Sequence, residues 1–281
     1  MAQPQSTRER IVSDWTAAAG GWRRWEAHNI AYSWPVTHRI VEALNLSPGQ
    51  TALDVGCGIG DPVIAIAEKI GETGRVIAID PVAEMVETAR ARAAGFGLTN
   101  IEFHTCPIEE LSLADGSLDA ASGRWSFIFC EDVVAALRRV RAWLKPGGRF
   151  AMATWTPQEN SPGFKIINTA LNRQVNLPPL DATKPGMAQL SEPGQLEGAL
   201  SAAGFKDIRV QPVRLSIFAR SGAEFWEMMS QMGGSLRKVY DGLKEDQRAA
   251  VAEEVIRGVE QFRSADVLRI PALAQVGNAV R

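Results

Sequence analysis

The segment TALDVGCGIGDPVIAIA, residues 51–67, packs three glycines into five positions between an apolar run and a helical apolar stripe. Glycine reaches positive φ and carries no Cβ, so a strand can turn sharply there and a ligand can lie against bare main chain. A strand, a tight turn and a helix, in that order, is the opening unit of a parallel α/β sheet. The chain then repeats the unit. RVIAID, IEFHT, LDAASG and RFAMATW read as further strands. Between them, Val63, Ile66, Ala67 and Ile70 stripe one helix, with Asp61 expected as its cap and Pro62 as its first residue. Val82, Met85, Val86 and Ala89 stripe a second helix that ends near Gly95, and Val133, Leu137, Val140 and Leu144 a third, followed by a KPGG turn.

Outside this core the periodicity is mainly helical. Ile11, Trp15 and Ala18 mark a first helix, stopped by Gly20-Gly21, and Val36, Ile40, Val41 and Leu44 a second, with Pro35 near its start. Residues 157–193 are loop-like around a helix carrying Phe164, Ile167 and Leu171. A helix with Leu196 and Leu200 follows. FKDIRVQPVRLSIFA reads as a long strand interrupted at Pro212, then come two helices, with Phe225 and Met229 and with Val251, Val255 and Phe262. LRIPALAQVGNAV reads as a last strand. The expected organisation is a helical N-terminal cap (1–46), an α/β core (47–220) with an insertion at 157–193, a helical insertion or lid (221–266) and a final core strand (267–281).

The bulk numbers exclude several classes. At 281 residues and 46 % apolar composition the chain can bury a sizeable core. Its formal net charge of -2 gives no electrostatic footprint for nucleic acid or an anionic membrane. Three widely spaced cysteines, Cys57, Cys106 and Cys130, form neither a disulfide framework nor a zinc motif and suit a reducing cytosol. The opening MAQPQSTRER has no apolar region after it, so no signal peptide and no membrane span are expected, and the protein reads as cytoplasmic.

The glycine turn narrows the ligand. The dinucleotide fingerprint G-x-G-x-x-G fails in both registers, because its third place falls on Asp61 or on Val63. A phosphate-binding G-K-[ST] is absent too. The loop reads instead as Asp54-x-Gly56-x-Gly58-x-Gly60, with Asp80 closing the next strand at the distance where an acid accepts hydrogen bonds from ribose hydroxyls. Either feature alone is commonplace in α/β proteins; the two in series point to a nucleoside.

At these residues the chain resembles the class I S-adenosylmethionine-dependent methyltransferases, and within them the small-molecule group that includes the quinone C-methyltransferases. LDVGCGIG looks like their first motif and VIAIDPVAEM their second; IEFHTCPIEELSLADGSLDA and VRAWLKPGGRFAMATW are similar to the later ones, so the likeness runs over about residues 36–156. It implies a Rossmann-like, doubly wound, seven-stranded sheet with an antiparallel last strand. It also implies roles. Gly56 and Gly58 line the methionine part of S-adenosylmethionine and Asp54 orients their loop. Asp80 holds the ribose, Met85 covers the adenine, and Cys57, Pro81, Ile108 and Arg124 complete the cofactor set. The family's adenine-reading Asp is replaced here by Pro107, ahead of Ile108. After the fourth strand, Arg124-Trp125-Ser126-Phe127 stands where amino-methylating enzymes of DNA and protein carry Asn/Asp-Pro-Pro-Tyr/Phe, and Gly123 and Arg124 supply no carboxylates for a metal.

Methyl transfer is an in-line displacement whose reactivity resides in the cofactor, so the protein must align the partners and exclude water. A base helps where the acceptor must lose a proton. Of His28, His38 and His104, only His28 lies among aromatic residues of the cap, Trp25, Tyr32 and Trp34, and it is the candidate base, although a lone histidine is more often structural. Trp25 and Trp125 are the candidate acceptor contacts. The apolar tone of the flanking helices favours a small apolar or aromatic acceptor over nucleic acid. Two other readings stay open at this level: a cofactor-binding scaffold without turnover, and an NAD-dependent oxidoreductase.

Overall fold

The computed structural model describes residues 6–281, so the first five residues of the expected cap lie outside it. In chain order the elements are α1 (Thr7–Arg24), α2 (Glu26–Leu44), β1 (Thr51–Val55), α3 (Val63–Ile70), β2 (Arg75–Asp80), α4 (Ala83–Gly95), β3 (Ile101–Thr105), β4 (Leu118–Arg124), α5 (Val133–Trp143) and β5 (Leu144–Trp155). They continue with α6 (Pro162–Gln174), α7 (Gln195–Ala202), β6 (Lys206–Ala219), α8 (Gly222–Met232), α9 (Gly234–Asp241), α10 (Glu245–Val259), β7 (Arg263–Ser264) and β8 (Val267–Val280).

The chain divides into two units, with cuts inside α2, β6 and β8 and at 156/157 and 181/182. The sheet unit comprises Trp34–Thr156, Ala182–Val213 and Ala274–Arg281. Among the described residues the helical unit comprises 6–33, Pro157–Asp181 and Arg214–Leu273.

The sheet runs β3-β2-β1-β4-β5-β8-β6, with the two-residue β7 paired to β8 off this path. β1 to β5 are parallel and β8 is antiparallel to β5. The strands read as near-continuous apolar runs because helices cover the sheet. On one face Leu53, Ile77, Ile79, Leu118, Phe150 and Met152 pack with Leu137 and Val140 of α5 and with Leu196 and Leu200 of α7. Phe150 is wedged between Phe127, edge-on at 5.5 Å, and Phe205, stacked at 5.1 Å. β1 pairs with β2 on one side and β4 on the other, so the strand order reverses there. Ligands of open α/β sheets bind beyond the carboxyl ends of the strands at this point.

The helical unit gathers α1, α6, α8, α9 and α10 around Ala18, Phe225, Met228, Val251, Val255 and Val259, all fully buried. Here the structure corrects the expected stop at Gly20-Gly21, since α1 runs straight through it. A Cβ on Gly21 would sit 2.2 Å from the Gln231 carbonyl oxygen, so this glycine serves close helix packing. Pro35 lies inside α2, not at a helix start. KPGG is part of β5 instead of a separate turn. β6 continues through Pro212, because it is the outermost strand and can spare one N–H. Neither α9 nor the β7–β8 hairpin, which turns through Ala265 at φ 52°, was expected from the residue pattern.

Candidate functional site

Five strand ends meet at the switch point, and most of the singled-out residues are there. Val55 of β1 runs into Gly56, Gly58 and Gly60, at φ 70°, 51° and 106°. The three glycines do different work. A Cβ on Gly56 would stand 2.3 Å from the Ser126 Cβ, and one on Gly60 would press on Ile64 and Ala89. Around Gly58 no atom lies within 4 Å of that position, so the open space against bare backbone is here.

Four of the loop's N–H groups are already spent inside the protein. Gly56 and Cys57 both donate to the Ile79 carbonyl, at 2.8 and 2.9 Å, and Gly60 donates to the Cys57 carbonyl at 2.8 Å. Gly58 N–H donates to Asp80 Oδ2 at 2.9 Å, and Val82 N–H to Asp80 Oδ1 at 2.9 Å. Asp80 thus pins the loop with one oxygen and the start of α4 with the other, a task its position in the sequence did not reveal. Each oxygen keeps a second lone-pair direction for a ligand hydroxyl.

The carboxylates crowd. Asp54 is fully buried and accepts from Ser122 Oγ at 2.6 Å, while its Oδ2 has no hydrogen-bond partner among the described residues. Burial pushes Asp54 up to about 7 against the Ser122 hydrogen bond and the Arg124 charge, and Asp61 and Asp80 add to the rise. Burial lifts Asp80 to about 6 despite its two backbone donors. Burial, then Asp80 and Asp54, drives the Cys57 thiol well above its usual value, so Cys57 is an inert, packed thiol.

Asp61 is not the helix cap expected for it, since Pro62 precedes α3 without a side-chain cap. Its Oδ2 accepts from Arg124 Nη1 at 2.9 Å and from Thr37 Oγ1 at 3.1 Å, and Arg124 also donates to Thr37 Oγ1 at 3.3 Å. This buried triad ties α2, the glycine loop and β4 together. Nothing in the local sequence pattern signals it. Arg124 keeps one buried nitrogen, Nε, without a partner among the described residues.

Trp125 follows in the left-handed region at φ 56°, an uncommon place for a bulky residue and a form of strain that gathers at functional sites. Its ring stacks on Trp155 at 4.4 Å and 7°, so the ends of β4 and β5 present an aromatic pair. Met85 is 4 % exposed on α4, Ile108 packs into the core cluster, and Pro81 follows Asp80. His28 and Trp25 belong to the helical unit. His28 Nε2 lies 4.0 Å from Glu224 Oε1 and meets the Trp25 ring edge-on at 5.1 Å, and Trp25 Nε1 donates to Gln231 Oε1 at 2.9 Å.

The arrangement suits a particular ligand charge. Three carboxylates, Asp54, Asp61 and Asp80, gather at this end of the sheet, where Arg124 acts on Asp54 and Asp61, and the loop has few N–H groups to give an anion. A pyrophosphate would be repelled here, whereas a ligand bearing a cationic sulfur or ammonium would be drawn in. The orphan Asp54 Oδ2 and the space over Gly58 fit S-adenosylmethionine.

The comparisons with known proteins agree. Residues 52–148 match the family model described as "Methyltransferase domain". Fold and domain point to one class: residues 52–148 carry a methyltransferase domain, and the chain is similar to S-adenosylmethionine-dependent methyltransferases. Among its relatives is nocamycin O-methyltransferase of Saccharothrix syringae, 29 % identical over 242 residues, covering 83 % of this chain and 86 % of the relative. Aklanonic acid methyltransferase DauC of Streptomyces sp. (strain C5) is 37 % identical over 120 residues, covering 43 % of this chain and 54 % of that one. The chain spans only 32 % of other relatives that it matches. The solved phosphoethanolamine N-methyltransferase 2 of Haemonchus contortus, 18 % identical, superposes with a TM-score of 0.60 over 100 % of this chain and 61 % of its own, a likeness of fold. Among the described residues no helix is long and apolar enough to cross a membrane.

Asp80→Ala should weaken S-adenosylhomocysteine binding by about 1.5–3 kcal/mol, the scale of hydrogen bonds to a charged group. Calorimetric titration measures this, and an unchanged affinity would remove Asp80 from the ligand site.

Proposed function

We propose that the protein transfers a methyl group to a small, largely apolar or aromatic acceptor, at oxygen, carbon or nitrogen. The observation that carries this reading is the stacked pair Trp125–Trp155 at the ends of β4 and β5, beside the glycine loop. Flat, weakly polar faces at that place favour an aromatic acceptor over a phosphate or a sugar. Two relatives are named for methylating nocamycin and aklanonic acid, which supports a small organic acceptor.

When bound, S-adenosylmethionine supplies an electrophilic methyl group on a positively charged sulfur. The open backbone at Gly58 receives it, Asp80 holds its ribose, and Asp54 faces its positive end. Met85 and Ile108 give apolar walls, with Cys57 and Pro81 shaping the loop ends. Arg124, locked to Asp61 and Thr37, keeps the end of β4 rigid, so that Trp125 is presented without rearrangement. His28, beside Glu224, is the proposed proton acceptor, and Trp25 next to it an acceptor contact.

Incubation with methyl-labelled S-adenosylmethionine and a panel of aromatic acceptors tests the reading. Transfer to one of them is expected. Cofactor binding with no transfer to any acceptor would turn the protein into a scaffold. Trp125→Ala should raise KM for the acceptor roughly tenfold, the loss of one aromatic contact, with cofactor affinity nearly unchanged. Equal losses of both would take Trp125 out of the acceptor pocket.

A further inference from the structure

A sheet covered on both faces seldom gives interior strands to unpaired charges. β5 does so here at Arg149, and its neighbour β8 and the outermost β6 add Asn278, Arg209 and Gln211 beside it, at the end away from the glycine loop. Phe150 and Met152 of β5, Ile208 and Val210 of β6 and Ala279 of β8 all pack with the core cluster. Strand alternation then puts Arg149, Arg209, Gln211 and Asn278 on the opposite face. Pairing of Ala151 with Asn278 and of Arg149 with Val280 brings them side by side. Together with Arg39 of α2 and Asn45, the residue just after that helix, they line a groove of 330 Å³.

The electrostatics of the groove are unbalanced. Arg39 is held by Glu42 at 3.0 Å, the one carboxylate lining the groove. Arg149 and Arg209 have no ion pair and no side-chain hydrogen bond among the described residues, and the carboxamides of Asn45, Gln211 and Asn278 have none either. Two free guanidinium forks flanked by amide donors form a receptor for oxyanions, which guanidinium groups bind bidentately. Arg149 aligns with Ala120, and Ala120 with Ala52, near the amino ends of β4 and β1. At about 3.3 Å per residue, Arg149 is about 20 Å along β5 from Trp155. The groove is therefore separate from the methyl-transfer site.

We propose that this groove is a second binding site, for a small polyanion carrying phosphate or carboxylate groups. The full chain is titrated with inorganic pyrophosphate and with citrate by calorimetry, with and without saturating S-adenosylhomocysteine. Binding of either is expected, and whichever binds tighter identifies the oxyanion. R149Q/R209Q should weaken it roughly tenfold or more, while K69Q/R75Q, an equal charge loss at α3 and the start of β2, leaves it unchanged. R209Q alone, at an exposed position of the outer strand, reads the same loss should R149Q disturb β5. Binding of neither anion up to about 10 mM, equal affinity in R149Q/R209Q and wild type, or competition with S-adenosylhomocysteine would each overturn the proposal.

Discussion

Gly56→Ala should destabilise the protein by more than about 3 kcal/mol, a loss visible as a large drop in the denaturation midpoint. Two costs add. The left-handed φ of 70° costs an L-residue about 1–2 kcal/mol, and the new Cβ would stand 2.3 Å from the Ser126 Cβ in a packed region. Adding Ser126→Gly should restore part of the loss, because it removes the clash and leaves the backbone cost. Gly58→Ala is expected to behave in the opposite way. Its φ of 51° is within the left-handed region that L-residues can occupy, and nothing lies within 4 Å of the new Cβ. The variant should fold at a cost of about 1 kcal/mol and lose S-adenosylhomocysteine affinity by roughly tenfold or more, because the methyl takes the ligand's space. Full affinity in folded Gly58→Ala would show that no ligand rests on that backbone.

The second large effect is on pH dependence. Asp54 and Asp80 hold their protons in the folded chain up to about 7 and about 6, above the ordinary 3.8, chiefly because burial disfavours their charge. Between pH 5 and these values the folded state binds more protons than the unfolded state. Stability contributed by the two groups is therefore fully present at low pH and is lost as pH rises through the folded values. Each group contributes a slope of about 1.4 kcal/mol per pH unit. Carboxylates held low by arginines, such as Glu102 and Glu224, act in the reverse sense but below pH 5. Denaturation of the ligand-free protein from pH 5 to 8 should therefore show falling stability that levels off near pH 7–8. Asp54→Asn should flatten the curve above pH 6 and exceed wild type at pH 8. Affinity for S-adenosylmethionine should rise over the same window, because a cation favours the ionised carboxylates. A wild-type curve that matches Asp54→Asn throughout would mean that Asp54 does not titrate as its burial requires.

Much of the candidate site was legible before any coordinates. Asp54, the glycine turn and Asp80 stand in a fixed local order, and strand-end positions follow from the periodicity around them. Their partners were not legible. That Gly56 is small because of Ser126, that Asp80 pins Gly58, and that Asp61 answers Arg124 and Thr37 all depend on which strands are neighbours. The left-handed Trp125 and its stack on Trp155 have no local signature either. The expected helix cap at Asp61 failed because a buried arginine competes more strongly for a carboxylate than exposed backbone N–H groups do.

From its residues alone the chain determined the alternation of strand and helix, down to the bounds of RVIAID and IEFHT, and the glycine turn at the end of the first strand. Apolar period and turn chemistry are local properties, written along the chain at short range. Tertiary structure decided the rest: that Pro212 is harmless on an outer strand, that Gly21 serves a helix crossing, and that three arginines share one groove. Those outcomes depend on contacts between residues far apart in the chain, whose energies are set by packing and burial and leave no pattern in the neighbouring sequence.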